Sequence, residues 1–183
     1  MIVLGLDPGL ASFGACALAL PSRNVVGADV FRSAPSPRKR SVAASDDRYR
    51  RARELAVWLE VIVGSWRPSI LAVEAMSFPR SGVAIASMAL AWGCLAAIAE
   101  RCGLPLVQVA PQDWKRRLSG RKGTADADLY PLLYERGGAE VKVDLDALGV
   151  PRSQHVHALD ALGVALWSET AEVVRALAAR NAA

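Results

Sequence analysis

The stretch Ile2-Val3-Leu4-Gly5-Leu6-Asp7-Pro8-Gly9 opens the chain with an apolar run that stops abruptly at an acid and a turn. Five consecutive apolar residues followed by Pro and Gly read as a buried strand closed by a turn. Beyond it, Gly14 to Leu20 is a second apolar segment, Pro21 to Asn24 a turn, and Val25 to Phe31 a third segment. Three strands joined by short turns predict an antiparallel meander. Ile70 to Val73 and Leu104 to Ala110 supply a fourth and a fifth strand, with helical segments between and after them. Asp46 or Asp47 is placed to cap a helix in which Leu55, Trp58, Leu59 and Ile62 recur at helical spacing, ended by Gly64 and Pro68. Gln112 to Val150 reads as short helical pieces, including a helix from about Thr124 made irregular by Pro131, and one long helix is predicted from Ser153 toward Leu177. The expectation is an α/β fold with a five-stranded mixed sheet, three strands antiparallel and two parallel, and helices on both faces.

With 183 residues, the whole chain, 1–183, is read as one domain. A Pro-, Ser- and Arg-rich connection at about 33–46 and a tail at about 178–183 are its loose parts. Because 52% of residues are hydrophobic and 22% charged, the chain can build a core, and disordered, collagenous and disulfide-framework classes fit poorly. Cys16, Cys94 and Cys102 are odd in number and lack paired ligand spacing, which disfavours disulfides and zinc and suits a reducing, cytoplasmic setting. The uncharged stretch from Ser81 to Ala99 passes the length test of about 18 residues for a membrane span. Its Ala, Gly and Ser content instead reads as a buried or interfacial helix suited to a subunit contact, and no membrane association is expected.

The formal charge of +4 is mild, but its distribution is not even. Arg38, Lys39, Arg40, Arg48, Arg50, Arg51 and Arg53 crowd one region, and Lys115, Arg116, Arg117, Arg121 and Lys122 another. Guanidinium groups grip phosphate oxygens in two places, so such clusters suit nucleic acid.

Three acids lie against apolar runs: Asp7 after Ile2–Leu6, Glu74 after Ile70–Val73, and Asp160 within the last long helix. A carboxylate in such a place is costly unless its charge is offset. If the strands ending at Asp7 and Glu74 are neighbours, both carboxylates meet at one sheet edge and call for a cation. Oxygen donors without cysteine point to Mg²⁺ or Mn²⁺ over zinc. His157 stands three residues before Asp160, on the same helical face. His155 competes with it but points the other way, toward a surface position near the helix start. Asp146, in a segment that echoes the one around Asp160, is a rival third acid; Asp160 is preferred because its helix is longer and more apolar. The glycines of Asp7–Gly14 suggest close approach of a phosphate backbone or a metal to that turn. Asp-x-Gly also opens sugar kinases and actin-like ATPases, but those chains are far longer.

In this order and spacing, IVLGLDPGLASFG, LAVEAMSF, APQDWKRRLSGRKGTA and HALDALGVAL resemble the motifs of the RuvC family of Holliday junction resolvases, over roughly residues 2–167. The resemblance implies a ribonuclease H-like fold and an active site of Asp7, Glu74, His157 and Asp160, where the family carries Asp or His at the place of His157. It implies two divalent ions, about 4 Å apart, serving in-line attack of water on a phosphodiester. Products with a 5′-phosphate and a 3′-hydroxyl are expected. Lys115 would hold a backbone phosphate, with Arg116, Arg117, Arg121, Lys122, Phe78 and Arg80 as further DNA contacts. A homodimer, built through the 81–101 helix, would set two sites on a four-way junction in a bacterial or phage-infected cell, with a branch-migration helicase as partner. Departures exist: Ser77 stands where the family commonly has a junction-wedging aromatic, leaving Phe78 or Met76 for that task, and the family's second loop lysine falls near Ala127, with Lys122 as substitute. Met88–Gly93 replaces a Gly-Gln-Ala-Arg-Gly stretch. The alternatives are a related nuclease for other branched DNA or RNA, and a junction-binding module with an idle metal site.

Overall fold

The computed structural model describes residues 1–37, 42–76, 81–136 and 145–180, with the side chains of 126, 127 and 134–136 excepted. The element order is β1 (Ile2–Asp7), β2 (Ser12–Ala19), β3 (Asn24–Arg32), α1 (Ala44–Trp66), β4 (Ile70–Glu74), α2 (Gly82–Arg101), β5 (Leu106–Val109), α3 (Pro111–Ser119), α4 (Asp126–Arg136), a 3₁₀ turn (Arg152–Gln154), α5 (His155–Ser168) and α6 (Glu172–Arg180). The sheet order is β3-β2-β1-β4-β5. β1–β2 and β2–β3 are antiparallel, while β1–β4 and β4–β5 are parallel. This is the mixed sheet that the sequence predicts.

The two-residue period of the strands sorts their side chains onto two cores. Leu4 and Leu6 of β1, with Leu71 and Val73 of β4, pack against Leu55, Leu59, Leu95 and Ile98 of α1 and α2. Val3, Ile70 and Ala72 face the other way, toward Ala158, Ala161, Leu162 and Ala165 of α5. Helices therefore cover both faces. α5 lies close because two strand positions lack side chains: a Cβ on Gly5 would strike the Ala161 carbonyl, and one on Gly14 the His157 carbonyl. Gly5 and Gly14 thus serve helix packing, while Gly9 lies against the Ser12 carbonyl within its own turn.

Several boundaries differ from expectation. α1 starts at Ala44, inside the predicted 33–46 connection, and Asp46 and Asp47 lie in its first turn without capping it. Asp47 instead accepts from the backbone and hydroxyl of Ser36, at 2.9 and 2.7 Å, and from Arg50 at 2.9 Å. The Ser36 hydroxyl and the Arg50 guanidinium hold its carboxyl down to about 2. Gly64 is internal to α1, which ends where Arg67 turns into the left-handed region at φ 46° ahead of Pro68. The long helix predicted from Ser153 is broken between α5 and α6. There Ser168 and Thr170 hydroxyls donate to carbonyls of the preceding turn, and Glu169 is drawn aside by Arg23 at 2.6 Å. α6 also occupies 178–180 of the predicted tail.

α2 buries Ala91, Leu95, Ile98 and Ala99 on one face, while Val83 and Ile85 are exposed. By length and composition it could cross a membrane, and 22% of its most apolar window is buried. All three cysteines are free, and burial pushes the Cys16 thiol up to about 12.

Candidate active site

Asp7 and Glu74 share an edge and a face for a reason legible in strand parity. Gly5 pairs with Ala72 and Leu6 with Val73, so Asp7 and Glu74 are the next rung at the C-terminal ends of two parallel strands. Asp7 is two residues past Gly5 and Glu74 two past Ala72, which puts both on the face crossed by α5. The first turn of α5 then brings His157, whose Nδ1–H donates to Asp7 Oδ2 at 2.9 Å. Asp160, one turn on, is close enough for its charge to act on the imidazole. Hydrogen bonding to Asp7 raises the His157 pKa first, against partial burial, with the charges of Asp7 and Asp160 raising it further and Arg32 opposing. Asp7, Glu74, His157 and Asp160, named from the sequence, thus gather at one end of the molecule.

Each of the other acids also has a partner. The Trp114 indole, fully buried, donates its Nε1–H to Glu74 Oε2 at 2.8 Å. Gly163 of α5 admits that indole, since a Cβ there would strike the ring. Tyr130 Oη donates to Asp160 Oδ1 at a long 3.4 Å. Trp114 and Tyr130 were not singled out in the sequence; an indole within the largely polar Pro111–Ser119 segment, four residues before Leu118, was the available signal, because a buried Trp N–H usually finds an acceptor. With the carboxylates so engaged, no three His, Cys, Asp or Glu side chains among the described residues converge on a common point able to hold an ion. The donor chemistry fits a hard divalent cation, three carboxylates and an imidazole without a thiol.

A further network ties down the loop after Asp7. Arg51, 8% exposed, donates from Nε to Ser33 Oγ at 2.8 Å. That hydroxyl donates to the Leu10 carbonyl at 2.6 Å, and Ser33 N–H to the Ala11 carbonyl at 3.1 Å. Arg50 and Arg51, predicted as part of a nucleic-acid cluster, are engaged within the fold: Arg50 pairs with Asp47 and Glu54 and binds the Ala34 carbonyl. The described part of the 33–46 connection is therefore pinned to α1. Arg38, Lys39 and Arg40 lie outside the described residues.

The second basic cluster divides. Lys115 places its ammonium 5.2 Å from the Trp114 ring centroid, one indole away from Glu74. Arg116 pairs with Asp113 at 3.2 Å, and Arg117 lines a cleft with Trp167 and Glu169. Trp167 is ten residues past His157, about 15 Å along α5. Arg116 and Arg117 thus do not join the carboxylates. Arg121 and Lys122 are exposed on the turn after α3. Phe78, Arg80 and Ser77 lie outside the described residues. Asp146, the rival acid, staples its turn to the start of α5, 3.4 Å from Arg152 and 3.6 Å from His155. His155 is part-buried, donating to the Val150 carbonyl at 2.8 Å, and is not the surface residue expected.

A mixed five-stranded sheet with acids ending its first and fourth strands, and a third on the helix laid across them, is the architecture of ribonuclease H-like nucleases. Among solved structures, T. thermophilus RuvC in complex with a Holliday junction substrate superposes with a TM-score of 0.69 at 22% identity, over 91% of each chain. The yeast mitochondrial Holliday junction resolvase gives 0.52 at 15% identity, over 91% of this chain and 78% of its own. No family model matches the sequence. The crossover junction endodeoxyribonuclease RuvC of Synechococcus sp. WH7803 is 32% identical over 130 residues, 70% of this chain and 77% of the relative. That of Parasynechococcus marenigrum WH8102 is 30% identical over 168 residues, 91% and 96% of the two chains. The chain belongs to the RuvC family of crossover junction endodeoxyribonucleases.

Proposed function

We propose that this chain is a metal-dependent, structure-selective DNA endonuclease that resolves four-way junctions by paired symmetrical nicks, leaving 5′-phosphate and 3′-hydroxyl ends. What supports this reading most is that Asp7 and Glu74 each follow the last paired residues of parallel strands, Leu6 and Val73, on the face covered by α5, where His157 is bonded to Asp7. Asp7, Glu74, Asp160 and His157 are the residues that would hold Mg²⁺ or Mn²⁺. Two such ions, when bound, supply activation of the attacking water and neutralisation of the leaving oxygen.

The protein's own groups prepare the site. Trp114 fixes the rotamer of Glu74 from behind, and Tyr130 approaches Asp160. The His157 Nδ1–H grip on Asp7 leaves its Nε2 for a ligand or a water. Lys115, held over Trp114, is assigned a backbone phosphate beside the reacting one. The exposed apolar face of α2 is assigned to a homodimer, which sets two sites symmetrically on one junction. A cytoplasmic place and a branch-migration helicase partner accompany this reading.

Asp7→Asn and Glu74→Gln test it directly. Each is expected to abolish cutting of a four-way junction in Mg²⁺ or Mn²⁺ while leaving junction binding within about twofold, since neither removes a phosphate-binding cation. Normal cutting by either variant removes that residue from the mechanism. Four-way, three-way, flap and RNA–DNA hybrid substrates, compared side by side, separate junction resolution from cutting of other branched nucleic acids. Binding without any nick identifies an idle module.

A further inference from the structure

β3 carries a cation to the edge of the site. Arg32 is its last residue and pairs with Ser12, two rungs beyond the Val30–Gly14 pair. Ala28 and Val30 belong to the core under α5, and strand alternation therefore directs Arg32 to that same face. Gly14 pairs in turn with Asp7 and accepts the backbone of His157 above it. Arg32 is thus on the face of Asp7, Glu74 and α5, close enough to the first turn of α5 for its charge to be felt there.

Its surroundings differ from those of the arginines that the fold uses in ion pairs. Arg23, Arg50, Arg116 and Arg152 each hold a carboxylate. Arg32 is exposed and makes no hydrogen bond or ion pair with any described residue. An exposed guanidinium without a carboxylate partner among the described residues, at the edge of the face that carries the acids, is open to an arriving oxyanion. A phosphodiester fits the guanidinium fork, which binds two oxygens at once. β3 lies two strand spacings from β1, about 10 Å, so the phosphate within its reach is a neighbour of the one being cut.

Resting on the DNA-cleaving reading above, we propose that Arg32 grips a backbone phosphate adjacent to the scissile one, on the β3 side of the carboxylate edge. It is a substrate contact that sets the path of the cut strand, with no part in bond breaking. The test compares wild type, Arg32→Gln and Arg32→Lys on a fixed four-way junction. Binding is measured with chelator present over a range of salt, and cutting separately in Mg²⁺.

Loss of one phosphate contact lowers the slope of log affinity against log salt by about 0.9. Arg32→Gln is expected to show that loss and a raised KM, with kcat changed less. Arg32→Lys is expected to recover the slope, because the charge remains, and only part of the KM, because the fork does not. An Arg32→Gln protein with wild-type slope and KM overturns the assignment. If the wild type cuts no branched substrate but Arg32→Gln still lowers the slope, the contact stands and the nuclease reading falls. A wild type that binds no junction overturns both.

Discussion

His157 and Trp114 show how single side chains prepare this site. His157 has its pKa raised chiefly by the hydrogen bond to Asp7. A group whose folded value exceeds its unfolded one adds stability that is complete below its ordinary 6.5 and is lost as pH rises through the folded value. With chelator present, an NMR titration of the His157 ring is expected to give a midpoint above 6.5, returning toward it in Asp7→Asn. A wild-type midpoint at or below 6.5 contradicts the pairing. Trp114→Phe keeps the ring and removes the donor to Glu74. A hydrogen bond to a charged group is worth about 1.5–3 kcal/mol, so kcat is expected to fall roughly tenfold to a hundredfold with KM little changed. Unaltered kcat would remove Trp114 from the positioning of Glu74. Asp7 and Glu74 were legible because apolar runs end at them. Trp114 and Tyr130 were not, because their acceptors lie 40 and 30 residues away along the chain.

At the level of elements, the placement of α5 on β1 and β2 decides whether the four polar groups meet. Gly14 and Gly5 allow it, each lying under a carbonyl of the helix. Gly14→Ala forces β2 and the first turn of α5 apart, and overpacking of this kind costs about 1–3 kcal/mol. The variant is expected to unfold at lower urea and to lose cutting out of proportion to its stability, since His157 moves away from Asp7. A Gly14→Ala protein that is stable and fully active would show that the contact has slack. Strands β1 to β5 could be read from apolar runs and turn residues because a buried sheet leaves a period-two record. The α5–α6 break could not: apolar residues continue through it, and the hydroxyl bonds and the Arg23–Glu169 pair that stop the helix are tertiary and local events without a sequence period. The start of α1 was misplaced for a similar reason, since Asp47 is recruited by Ser36 across a loop and does not cap its own helix.

At the scale of the whole molecule, the carboxylates occupy one end of the sheet, and α2 presents Val83 and Ile85, 61% and 39% exposed, to solvent. Exposed apolar residues on a helix this apolar are the physical basis for assigning it to the dimer. Ile85→Glu is expected to shift sedimentation from dimer to monomer and to uncouple the two nicks, so that singly nicked junctions accumulate. A wild type that is monomeric at concentrations where it cuts contradicts that assignment. Among the basic residues, Arg50, Arg51 and Arg116 take part in internal pairs, and Arg32, outside both clusters, is close enough for its charge to act on His157.

The most direct measurement is strand-by-strand mapping of the nicks made in four-way junctions, mobile and immobile, each strand labelled in turn, with Mg²⁺ or Mn²⁺. Paired nicks at symmetrical positions in two opposing strands, ending in 5′-phosphate and 3′-hydroxyl and absent with Asp7→Asn, are the expected result. Nicks that persist in Asp7→Asn, or a wild type that binds the junction and leaves every strand intact, would contradict it.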